Sequence, residues 1–358
     1  MGIGKYVIIR LINAFAVLLI ALFIVSLVFS TAAEKELKAQ IYEEIMAQLN
    51  ANPQLQKAFA ANATAREQWI ETQKKLKFEL YGLDKPLFER ILIRVGEQLR
   101  LKFGKSHSLK SRSGSSEVKD IILEALPRTI LLFTTGQIVV ILIGLYLGLK
   151  AAQRAGSMLD QSLSIFALLS YSLPMWWTGM LFIILFSFYL NIFPSGGMMS
   201  VPPPEGLISK ILDLLYHLTL PMFTYVFVVF GGWAYTTRNV VLSQLQEDFV
   251  MAARAKGVPE NKVLYGHVLR ASAPPIVTMT IGSLLGSIGG AMISEVVFNW
   301  PGMGRLYWTA VIQNDVPVLL GNTTISIILF LASLIVMDLM YMYLDPRVRI
   351  GAAAAMGE

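Results

Sequence analysis

Residues 251–263, MAARAKGVPENKV, are small and charged, and they are interrupted by Gly257 and Pro259. They stand between two greasy stretches, MFTYVFVVFGGWAY at 222–235 and IVTMTIGSLLGSIGGAMI at 276–293. Two membrane-length apolar runs joined by a short, punctuated, basic segment set the pattern for the chain. Apolar runs recur near 9–30, 128–149, 163–193, 215–236, 275–298 and 322–344, each reaching the roughly 20 residues that a helix needs to cross a bilayer. The expected fold is therefore all-α transmembrane, with about six spanning helices. The third run is overlong and holds Pro174 in SYSLPMWWTG. It reads as one kinked, tilted helix, with a helix plus a re-entrant piece as the alternative.

Composition agrees. Of 358 residues, 55% are hydrophobic and 15% charged, and mean hydropathy is +0.58, whereas soluble proteins carry about a quarter charged residues. A net charge of +6 would suggest nucleic acid in a soluble domain. In a membrane chain it reflects Lys and Arg gathered in cytoplasmic loops, so the partner implied is the lipid membrane and no nucleic acid is expected. No cysteine is present, which excludes disulfides, thiolate metal sites and cysteine nucleophiles. The first run follows Lys5 and Arg10 and is longer than a signal-peptide core, so it reads as an uncleaved span.

Lys150 and Arg154, then Arg238, Arg254, Lys256, Lys262 and Arg270, then Arg347 and Arg349 follow alternate runs. With both termini cytoplasmic, all of them fall on the cytoplasmic face of a multi-pass plasma-membrane protein. The expected divisions are 1–30, cytoplasmic N-terminus and first span; 31–127, an extracytoplasmic, mostly helical insertion between the first two spans; 128–345, a core of the remaining spans holding a cytoplasmic loop at 237–274; and 346–358, a cytoplasmic tail. In the insertion, Leu37, Ile41, Ile45 and Leu49 repeat at four-residue spacing, as one stripe of a helix would. SHSLKSRSGSS at 106–116 is a polar linker without periodicity. Asn62 and Asn322 begin formal glycosylation triplets.

Little in the chain is equipped for covalent chemistry. FGKS at 103–106 imitates the end of a phosphate-binding loop, but position 99, where the leading glycine belongs, is leucine. His107, His217 and His267 lie far apart in sequence, so neither a metal site nor a catalytic residue is expected. Asp338 and Glu295 fall in apolar runs, with Asp213 nearer a surface, and an ionisable group there faces protein or water. Gly282, Gly286 and Gly290 share a four-residue spacing that would put them on one helix face for close packing or beside a translocation path. Tyr171, Trp176, Trp177, Trp233 and Asp338 are further candidates for a path lining.

The opening stretch has the grammar of a short helix with both ends marked. Glu247 and Asp248 stand at the front, Ala252, Ala253 and Ala255 in the middle, and Gly257 then Pro259 at the end. Pro259 would start a second helix, PENKVLYGHVLR, that APP at 273–275 would stop. An alanine face flanked by Arg254 and Lys256 suits docking into a groove on another protein.

With these residues in view, AARAKGV followed by HVLRASAPPIV resembles the cytoplasmic EAA loop of ATP-binding-cassette importer permeases of the oligopeptide and dipeptide branch. YGLDKPLFER, FGKS, LPRTILL, SLPMWWTG, FPSGG, SEVVFNWPGMGRLYWTAVIQNDVPVLLG and DPRVR agree in order and spacing over nearly the whole chain. The resemblance implies the type I importer permease fold. It also implies a coupling helix formed by Asp248, Met251, Ala252, Ala253, Arg254, Ala255, Lys256 and Gly257 and seated in a cytoplasmic ATPase. Implied partners are a second homologous permease, two ATPase subunits and an extracytoplasmic solute-binding protein. ATP and Mg would be bound by the partners, this chain would hydrolyse nothing, and the solutes would be peptides, with oligosaccharides or nickel complexes as the alternative. Met251 stands where the general motif has glutamate. A gradient-driven secondary transporter is the rival class; sparse intramembrane acids and no evident inverted repeat speak against it.

Overall fold

The computed structural model describes residues 3–60, 63–80 and 83–344; Asn62, DPRVR and the expected tail at 346–358 lie outside them. Among the described residues there is no β-strand, only one antiparallel bridge between Lys105 and Glu117. Among the described residues five helices are long and apolar enough to span: Val7–Thr31 within α1 (Ile3–Ala51), α5 (Val118–Gln153), α8 (Leu207–Leu245), Glu260–Ser287, and Val316–Met340 within α14 (Val316–Leu344). A sixth is α6 (Met158–Ser172) followed by Met175–Tyr189, which comprises α7 (Met175–Phe182) and a π-helical end, the two pieces meeting at 98°. That is far sharper than a tilted kink. Leu173 is extended, and Pro174 has no N–H to continue the ladder.

No Gly or Pro interrupts residues 5–51, so α1 runs without a break from its spanning part, Val7–Thr31, on to Ala51, shortly before Pro53. Glu260–Ser287 is assembled from α10 (Glu260–Lys262), a π-helical stretch Val263–Val268 and α11 (Leu269–Ser287). Pro274 and Pro275 sit inside α11 rather than stopping a helix before it. In a spanning helix such prolines are tolerated, because neighbouring helices and local adjustments compensate the lost backbone bonds. Within the loop expected at 237–274, the connection between α8 and α10 is 246–259.

The chain forms two compact units. The smaller comprises Phe15–Ile121 with Ala310–Ile327, and includes α2 (Pro53–Ala60), α3 (Ala63–Leu80) and α4 (Leu87–Leu99). Ile41, Ile45 and Leu49 are buried, as their spacing predicts. Beside the apolar contact of Leu22 with Ile91 and Val95, α4 lies antiparallel to α1 along a polar ladder. Arg90 donates to Glu34 at 3.1 Å, Arg94 to Ser30 at 2.7 Å and Gln98 to Ser26 at 3.1 Å. Each series advances by four residues, one rising and one falling, which only antiparallel helices can satisfy.

FGKS also finds its use in this unit. Asp315, 1% exposed, accepts from Ser106 Oγ, from the His107 and Ser108 N–H groups at 3.1 Å each, from Ser108 Oγ at 2.9 Å and from the Val318 N–H at 3.4 Å. Burial alone would raise its carboxyl, but these donors outweigh burial and hold it below the ordinary aspartate range. A depressed folded value means stability that is present above about pH 4, the unfolded value, and is lost as pH falls through the folded one. Asp315→Asn is expected to speed amide exchange at 104–108 by at least about tenfold at pH 7, since charged-acceptor bonds contribute about 1.5–3 kcal/mol. In the wild type the same acceleration should appear only in acid; equal exchange in both proteins at pH 7 would contradict it.

The larger unit holds the rest of the chain. Its helices meet at glycines other than those the spacing singled out. A Cβ at Gly148 would stand 2.6 Å from Ala234 O, and one at Gly231 would stand 2.9 Å from Ala167 Cα, so α5 and α6 both approach α8 backbone to backbone. At the ends of α6 and α8, Arg238 Nε and Nη2 each donate to Asp160 at 2.8 Å, and the Gly156 N–H adds a third bond at 2.8 Å. Arg238 is thus one half of a bidentate clamp between helices.

Candidate functional site

The short helix forms where its end signals place it. α9 runs Asp248–Ala255, with Asp248 in its first turn and Arg254 in its last, each matched to the helix dipole. Lys256 caps it, and Gly257 follows at φ +74°, a left-handed conformation that side-chain-bearing residues rarely adopt. Arg254 crosses the turn to Glu260, Nε to Oε1 at 2.7 Å. Both side chains are largely exposed, so the pair shapes the turn more than it stabilises it.

The faces of α9 divide unequally. Val250 and Ala253 are buried and pack into the cluster of Val263, Leu264 and Val268. Asp248, Met251, Ala252 and Ala255 are exposed and share one stripe at helical spacing. Lys256 and Gly257 are exposed at its end, with Phe249, 40% exposed, beside it. The alanines therefore do not form one outward face: Ala253 turns inward, because the helix needs a small residue where it lies on its own chain. Phe249 was passed over in the sequence, although an aromatic within an otherwise small helix was the signal.

The other candidate residues separate. Gly282 and Gly286 lie in α11, but the helix ends at Ser287 and Gly290 turns at φ +65°, so the three glycines do not share a helix face. Apart from its own helix backbone and chain neighbours, a methyl at Gly286 would meet no atom of the described residues within 4 Å. Glu295 lies beyond the spanning helix, in α12 (Met292–Val297), and is 0% exposed. Thr129 Oγ donates to its Oε1 at 2.7 Å and the Arg305 N–H to its Oε2 at 3.0 Å, while the Met303 N–H donates to Thr129 Oγ at 2.7 Å. Burial pushes this carboxyl above its ordinary range against those donors. Gly302 and Gly304 close the cage, and a Cβ on Gly302 would lie 2.4 Å from Thr129 Oγ. Asp338 has an ion-pair partner, Arg10 Nε at 3.2 Å, which balances the one acid of the last span. Of the aromatic candidates, Trp233 is 8% exposed, while Tyr171, Trp176 and Trp177 are exposed. Asn322, 4% exposed inside α14, is not placed for glycosylation.

The described residues thus form a multi-pass, helical membrane protein with a short capped helix between two of its candidate spans. Residues 121–350 match the family described as binding-protein-dependent transport system inner membrane component. The chain belongs to that family and has its type I permease fold. It is 32% identical over 284 residues to the oligopeptide transport system permease protein AppB of Bacillus subtilis (strain 168), covering 79% of this chain and 84% of that protein. It is 31% identical over 285 residues to the di/tripeptide transport system permease protein DppB of Pseudomonas aeruginosa (strain UCBPP-PA14), covering 75% and 82%. It is 31% identical over 282 residues to the peptidoglycan transport system permease protein YejB of Agrobacterium fabrum (strain C58 / ATCC 33970), covering 78% and 76%. The resemblance to importer permeases read from the motifs is borne out.

Proposed function

We propose that this chain is one transmembrane subunit of an ATP-driven importer for di- and oligopeptides. It pairs with a second homologous permease, rests on two cytoplasmic ATPase subunits that bind ATP and Mg, and receives solute from an extracytoplasmic binding protein. Both termini and the connections 154–157 and 246–259 face the cytoplasm, where Lys and Arg accumulate. The observation that carries the reading is α9: a helix rooted by Val250 and Ala253 in its own chain, with Asp248, Met251, Ala252 and Ala255 left open for a partner. Rooted on one side and docked on the other, it would carry the closing of the ATPases into the span Glu260–Ser287 and, through the Asp160–Arg238 clamp, into α6.

Peptides are favoured by the names of the Bacillus and Pseudomonas relatives. The name of the Agrobacterium relative supports a second reading, peptidoglycan. The test is affinity purification of the tagged chain from its native membrane in mild detergent, with mass spectrometry of what accompanies it. A second permease, ATPase subunits and a binding protein that takes up peptides are expected. Recovery of the chain alone, without ATPase activity, would overturn the proposal and bring the gradient-driven transporter forward.

A further inference from the structure

In the smaller unit, α4 is held against the first candidate span, Val7–Thr31, and its two flanks meet α1 at different levels. The apolar flank lies inside the span. Phe88 meets Phe23 edge to face with ring centroids 6.1 Å apart, and Ile91 and Val95 share a buried cluster with Leu22. Phe23 precedes Thr31 by about 12 Å of helix rise. The polar flank lies at the rim. Arg94 donates to Ser30 at 2.7 Å, and Arg90 donates to Glu34 at 3.1 Å, beyond the last residue of the span. An apolar side at the level of acyl chains with cations at their edge is the placement of an interfacial helix, which buries its apolar face about 5–10 Å into the boundary between headgroups and chains.

α1 leaves part of that apolar side uncovered. Phe88, Leu92 and Leu99 are exposed, and at helical spacing they fall on one stripe, within about 40° of one another around the axis. Glu97, also exposed, lies on the far side of the helix. Around the level of Phe23, α1 itself turns Ile20, Ile24 and Val28 outward. The stripe on α4 therefore continues an apolar surface that the span already presents, and a partner dissolved in water does not reach that depth. The cations of the polar flank are committed within the chain, Arg90 to Glu34 and Arg94 to Ser30. What remains on offer is the apolar stripe, which fits acyl chains and asks for no particular headgroup.

From this geometry we infer that α4 is seated in the bilayer, with Phe88, Leu92 and Leu99 among the acyl chains of the leaflet at the Thr31 end of the first span. It would thereby hold the base of the long α1 extension, which runs on to Ala51, at a fixed depth. The inference goes beyond the importer reading and rests on the first span alone. The chain has no cysteine, so Leu92→Cys, Leu99→Cys and Glu97→Cys each introduce a single thiol for a nitroxide spin label. The full chain, purified with the proteins that accompany it, is placed in phosphatidylcholine vesicles, and collisions of each label are measured with oxygen, which concentrates among acyl chains, and with a water-soluble nickel chelate. The expected ratio of oxygen to nickel collisions is at least about fivefold higher at both stripe positions than at Glu97→Cys. Nickel collisions at either stripe position as frequent as at Glu97→Cys would overturn the inference, since the stripe would then face water. Exclusion of both reagents from either stripe position would also overturn it, since another protein would then cover the stripe. All three side chains are exposed, so the substitutions leave the packing against α1 in place.

Discussion

Ala252→Trp is expected to cut ATP-driven transport by at least about tenfold while the protein folds and inserts at normal yield. The Ala252 side chain is exposed, on the stripe of α9 that it shares with Asp248, Met251 and Ala255. A bulky ring there obstructs only a partner that approaches closely, and a tenfold loss requires about 1.4 kcal/mol of disturbed docking. Ala253→Trp gives the contrast. Ala253 is 8% exposed and packed in the cluster with Val263 and Leu264, so overpacking costs about 1–3 kcal/mol or more and lowers the yield of folded protein. Gly257→Pro adds a third arm. Proline fixes φ near −65°, against the observed +74°, and removes the N–H that donates to Arg254 O at 2.9 Å. Transport should fail with the spans intact. Parallel measurement of peptide uptake, ATPase rate and yield checks all three, and undiminished transport by Ala252→Trp and Gly257→Pro would refute the coupling role of α9.

Gly302→Ala is expected to destabilise the larger unit by about 3 kcal/mol, as overpacking and a broken buried hydrogen bond combine. The added methyl would lie 2.4 Å from Thr129 Oγ and 2.5 Å from Glu295 Oε2. Neither atom can retreat, because Thr129 bridges Glu295 and the Met303 N–H, and Glu295 is fully buried. Glu295→Ala approaches the same cage from its centre and leaves the Thr129 hydroxyl and the Arg305 N–H without their acceptor, at about 1–3 kcal/mol each. Thermal unfolding in detergent should show Tm lowered by roughly 5–10 °C for either variant. A Tm within about 1 °C of wild type would mean that the cage contributes nothing to stability.

What could be read in advance was local. The end signals of α9 are close in sequence, from Glu247 to Pro259, and need no tertiary partner, so the helix formed as expected, with Gly257 left-handed beyond its end. The buried stripe at Ile41, Ile45 and Leu49 was legible for the same reason. Features that need two distant segments were not. Glu34, Ser30 and Ser26 do not announce Arg90, Arg94 and Gln98, and nothing beside Asp338 names Arg10. Where local rules misled, the membrane or the neighbours overrode them. Pro274 and Pro275 continue a spanning helix, Ala253 serves its own core, and the four-residue glycine series is cut by the turn at Gly290.

The most direct test of the central claim is uptake of a labelled tripeptide by vesicles holding the complete complex, with ATP and Mg supplied only on the side of the 246–259 connection. The account predicts uptake that requires ATP and the binding protein, survives collapse of ion gradients by ionophores, and falls with Ala252→Trp. Uptake that proceeds without ATP and vanishes with the gradient would contradict it.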